Sequence, residues 1–149
     1  MNTLQDIIIW IGIILGVVLF KWTKPVILKV ILVGLILTFV LPFLSTNILI
    51  INVTSIAFGI LSLTYSIHCA INKNWTNLII GIFAFATFFW ALLNWQYYGE
   101  LQLLMIIPFG IYILTVIKWK KNINQLSLLS IFGMYELSVF LRLIKQWLN

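Results

Sequence analysis

Apolar stretches of bilayer length follow one another along this chain, and the connections between them are only a few residues long. A helix needs about 20 apolar residues to cross hydrocarbon. Inside lipid it must also pair every backbone N–H and C=O within itself, which makes helices the default for such runs. Of the 149 residues, 63% are hydrophobic and 8% charged, with a mean hydropathy of +1.15. A soluble domain carries roughly a quarter of its residues charged. The expected fold class is therefore an all-α membrane protein, a compact bundle of six short transmembrane helices in a single domain over residues 1–149. The spans are expected at about 4–22, 26–44, 48–71, 75–96, 101–119 and 125–144.

The ends of these spans carry turn and cap signals. Met1 to Leu4 is too short for a signal-peptide leader and Asp6 has the wrong sign for one, so the first helix is expected to stay. Pro25 opens the second span, where its missing N–H costs no bond, and Lys29 can snorkel along its own stem to the interface. Pro42 marks the far end, with Ser45-Thr46-Asn47 as turn and cap. Asn72-Lys73-Asn74 closes the third span and can cap the fourth. Tyr97-Tyr98-Gly99-Glu100 is so short that the fourth and fifth spans must form an antiparallel hairpin.

Within the spans, Gly12 and Gly16 form a GxxxG pair, which lets another helix approach closely. That helix belongs either to the same chain or to a second subunit. Ser55 and Gly59 make a second such pair. The third span is the most polar of the first five, with Asn52, Thr54, Ser55, Ser62, Thr64, Ser66 and His68; its hydroxyls can bond back to their own helix. The aromatic residues of the fourth span lie on several faces and so read as packing or lipid contact. Pro108 in the fifth is expected to free the carbonyl of Leu104 and kink the helix. Gly110 would let a neighbour fill the bend, which makes Pro108 and Gly110 the candidate hinge.

Charge supplies orientation. Lys21, Lys24, Lys29, Lys73, Lys118, Lys120 and Lys121 all fall on alternate connections, and the other connections carry no lysine or arginine. By the positive-inside rule the N-terminus lies outside, in the cytoplasmic (inner) membrane of a bacterium. The net charge of +6 thus reads as topology, with no specific nucleic acid expected as a partner. The cluster of Lys118, Lys120 and Lys121 could dock anionic headgroups or an acidic partner, although a plain anchor explains it as well.

The last segment strains this rule, because crossing the membrane takes Arg142 and Lys145 outside. Asn124, Ser127, Ser138, Arg142, Lys145 and Asn149 cluster on one helical face, as in an interfacial amphipathic helix. The alternative fold is accordingly five spans plus a C-terminal interfacial helix. Glu136 argues against it, since it lies on the opposite face, which an interfacial helix would press into lipid. A sixth span packed against the bundle resolves the conflict.

Glu136 is also one of three acidic residues, and an intramembrane carboxyl is a functional-site candidate by default. The plain reading makes it polar glue, either protonated or bonded to a hydroxyl such as Ser55, Thr64 or Tyr112 on another helix. The sharper one makes it a proton or cation relay, with Arg142, His68 and Asn52 as further members of a polar seam. Other chemistry is scarce. Cys69 is the single cysteine, which excludes an internal disulfide. His68 and Cys69 are neighbours about 100° apart on a helix and cannot form a nucleophile–base pair with each other. No metal site, cofactor or phosphate loop is expected, and no enzymatic activity. The leading expectation is a non-enzymatic membrane subunit of a homo-oligomer or multi-protein assembly. It would be an anchor, sensor or pore-type effector, as in bacterial defence, with the lipid bilayer and a cytosolic or membrane protein as partners. The alternative is a small proton- or ion-coupled transporter or channel built on Glu136.

Overall fold

The structure, a computed structural model, describes residues 3–93 and 102–148. The protein is 88% helical, and the described residues contain no strand. The expected end of the fourth span, the turn at residues 97–100, the start of the fifth at Leu101, and Asn149 lie outside the described residues.

Helix α1 (Thr3–Leu19) tightens into a 3-10 turn over Phe20–Trp22. Pro25, held at φ −64° and ψ 130°, precedes α2 (Val26–Leu44). Asn47 caps α3 (Ile48–Ile71), its Oδ1 accepting from Leu49 N at 2.9 Å. Lys73 then takes a positive φ of 54°, while Lys73 N donates to Ala70 O and Asn74 N to Cys69 O, at 3.0 and 2.9 Å. This pair of bonds is a Schellman closure, with lysine where glycine is usual. Asn74 Oδ1 in turn accepts from Asn77 N and starts α4 (Trp75–Leu92). Helix α5 (Ile106–Ile117) and the short α6 (Trp119–Asn122) lead into α7 (Leu126–Leu148).

The expected fifth span is interrupted. Its longest described helix has 12 residues, Ile106–Ile117, and follows a turn at Leu104–Met105. Pro108 sits in its first turn rather than at a mid-helix kink. Pro108 has no N–H to give Leu104 O and its ring crowds that carbonyl, so the chain turns at Leu104–Met105 and restarts with the proline in the first turn. Leu104 O is not freed; it accepts from Ile107 N at 3.0 Å. Gly110 has open space around it and admits no neighbour. Among the described residues, five helices, ending in α7, are long and apolar enough to span a membrane.

Helix α7 is the axis of the bundle. It packs along α1 and α5 and touches α2 and α4, while Phe58 and Tyr65 of α3 stack against its Phe132. Within its apolar window 61% of residues are buried, against 22–28% in the other four long helices. The last helix is therefore the most enclosed of the long helices, with its serine-bearing face turned inward. Ser127 Oγ lies 2.6 Å from Thr23 Oγ1, and Ser138 Oγ donates to Tyr135 O. Hydroxyls satisfied in this way can face protein instead of water.

The outside of the bundle is apolar, with Val17, Val30, Ile60 and Leu114 each more than half exposed. The three lysine-bearing connections meet at one end, joined by the Thr23–Ser127 bond and by Gln125 bonding to Asn74 and Asn77.

Candidate functional site

Glu136 is the eleventh of the 23 residues of α7 and is fully buried. Leu129, Phe132, Glu136, Val139 and Leu143 recur at spacings of three and four, so one buried stripe runs the length of the helix. The carboxyl replaces a hydrocarbon side chain in that stripe. Among the described residues, neither of its oxygens has a hydrogen-bond partner. The three hydroxyls considered for it are engaged elsewhere. Ser55 donates to Ile51 O, Thr64 to Ile60 O, and Tyr112 to Ser130 Oγ.

The other members of the expected polar seam stand apart from Glu136. Arg142 lies on the same helix, about 9 Å further along and about 120° around. His68 is in the last turn of α3, where Asn72 Nδ2 donates to its carbonyl at 2.7 Å and lies 3.3 Å from its Nε2. Cys69 turns another way, its Sγ 3.9 Å from Gln125 Oε1. Asn52 is exposed near the start of α3. Among the described residues no three His, Cys, Asp or Glu side chains group together as they would around a metal.

The small residues have separate uses. A Cβ on Gly12 would stand 2.8 Å from Met134 Cβ and 3.2 Å from Ser130 O, and one on Gly16 would meet Ile131. Both glycines therefore seat α1 on α7 within one chain. Gly59 receives the ring of Phe88 from α4, while Ser55 is exposed. Lys118, Lys120 and Lys121 are exposed at the lysine end.

Two features went unread in the sequence. One is a cleft of about 500 Å³ among α1, α2, α3, α4 and α7, near the end opposite the lysines, with Arg142 and Tyr135 in its lining and Glu136 not. The other is a polar junction on Gln125. Its Oε1 faces Asn77 Nδ2 at 2.6 Å, Tyr65 OH at 3.1 Å and Asn74 Nδ2 at 3.3 Å.

No family model, curated protein or solved structure matches the chain. The geometry of the bundle singles out Glu136. An unpaired buried carboxyl is costly in stability, and the stripe it interrupts would pack better with leucine.

Proposed function

We propose that this chain is a non-enzymatic multipass protein of the bacterial cytoplasmic membrane, with its N-terminus outside. In this reading it is a small proton-coupled transporter whose state is set by the proton on Glu136. The observation that carries it is the fully buried carboxyl in the middle of the axis helix, which has no hydrogen-bond partner among the described residues. An ionised carboxylate in hydrocarbon costs at least ~2.5 kcal/mol by insertion scales, so the closed bundle holds the neutral acid. Losing the proton forces Glu136 toward water or a cation, and α7 can meet that demand only by shifting against the helices around it. The apolar exterior and the gathering of lysine connections at one end support the membrane location and the orientation. The glycine pairs lend no support to a subunit assembly, because Gly12, Gly16 and Gly59 each face a neighbouring helix of the same chain.

The test uses proteoliposomes with an entrapped pH dye and an imposed potential. The wild-type protein should admit protons, and Glu136→Gln, which keeps the shape but cannot carry charge, should abolish the flux while the protein still folds. Dicyclohexylcarbodiimide, an apolar reagent for protonated carboxyls, should block the wild type by modifying Glu136. A fully active glutamine variant would sink the reading.

A further inference from the structure

The cleft at the end opposite the lysines has a graded lining. Phe39, Phe58 and Tyr135 form an aromatic floor, with ring centroids 4.7–5.7 Å apart. Arg142 stands on the same face of α7 as Tyr135, two turns further toward the helix end, or about 10.5 Å along the axis. Hydroxyls are present on the α2 and α3 walls, but their protons are committed. Thr38 donates to Leu35 O, Thr54 to Ile50 O and Ile51 O, and Ser55 to Ile51 O, at 2.8–2.9 Å. Toward the cleft these residues offer only lone pairs, so the guanidinium is the cationic donor of the lining.

We infer that this cleft binds a single-chain amphiphile with a carboxylate head, of the fatty-acid class, its head on Arg142 and its chain over the aromatic floor. A guanidinium presents a planar fork that matches the two oxygens of a carboxylate. With five N–H donors it serves a ligand alongside its protein neighbour. A phosphodiester head brings further acceptor oxygens that the lone-pair walls cannot satisfy. A volume of about 500 Å³ suits one compact ligand, and a two-chain lipid exceeds it. Glu136 does not line the cleft, so the inference stands whether or not Glu136 moves protons.

Native mass spectrometry of the whole protein, released from a neutral detergent and titrated with stearate or methyl stearate, tests this. One saturable equivalent of stearate is expected on the wild type. The uncharged ester should bind on the order of tenfold to a hundredfold more weakly, as loss of a charge-assisted hydrogen bond implies. Arg142→Gln should remove the preference for the acid, and Ser55→Phe, placed at an exposed lining position, should obstruct entry. Equal binding of acid and ester by the wild type overturns the proposal without reference to any variant. So does retention of phospholipid in place of stearate, or a Ser55→Phe protein that binds as the wild type does.

Discussion

A single side-chain oxygen gathers the lysine end of the bundle. Gln125 Oε1 has two lone pairs, and donors from α3, from α4 and from the turn between them all aim at it. Asn77 Nδ2 at 2.6 Å is the closest. Gln125→Leu would leave Tyr65 and Asn77, both fully buried, without that acceptor. Each orphaned donor costs about 1–3 kcal/mol, so thermal unfolding in detergent should come several degrees earlier. Gln125→Glu should instead hold or raise stability, since the donors would face an anion beside the positive end of the α7 dipole. If both variants lose equally, the donors are not what fixes α7 in place. Nothing in local sequence announced this junction. Asn74 was legible as a cap, and it is one, but the partner of Asn77 lies 48 positions away. The cleft was hidden for the same reason, since its floor is built by rings from three helices. Glu136 was legible because one carboxyl in an apolar run is conspicuous. The lack of a partner could be seen only once Ser55, Thr64 and Tyr112 had been placed.

Among the helices, close approach and helix breaking decide the architecture. Gly12 lets α1 lie on α7 with Ser130 O near its Cα, so Gly12→Ala should destabilise the protein by about 1–3 kcal/mol through overpacking. Gly110 is the control. With open space around it, Gly110→Ala should stabilise α5 by up to about 1 kcal/mol from helix propensity. Thermal unfolding of the two variants side by side checks the contrast, and equal losses would show that the α1–α7 seam is loose. Helix ends at Pro25, Asn47 and Asn74 were readable because cap chemistry is local. The break before Pro108 was not, because a proline in an apolar run permits either a kink or a restart, and neighbouring packing selects between them. The inward turn of the α7 serine face was also unreadable from periodicity. A polar stripe looks the same whether it faces water or the hydroxyls of Thr23 and Tyr112.

At the scale of the whole molecule, the two ends differ in charge and in contents. Seven lysines ring one end together with the Gln125 junction, while the cleft and Arg142 occupy the other. In a protein with Cys69 replaced by alanine, Thr46→Cys should react with a membrane-impermeant maleimide added to intact cells, and Asn72→Cys should not. Labelling of Asn72→Cys from outside would reverse the orientation.

The burial of α7 also bears on how the molecule is made. Translation delivers the enclosing helices first and their shared axis last. Until Gln125 and the helix Leu126–Leu148 behind it emerge, the sheath encloses nothing, and Thr23, Tyr65 and Asn77 lack the partners they meet in the finished bundle. Synthesis at about 5–20 residues per second leaves that sheath open for seconds. In the membrane proposed for this chain, that open polar lining would set an unfinished molecule apart from a finished one.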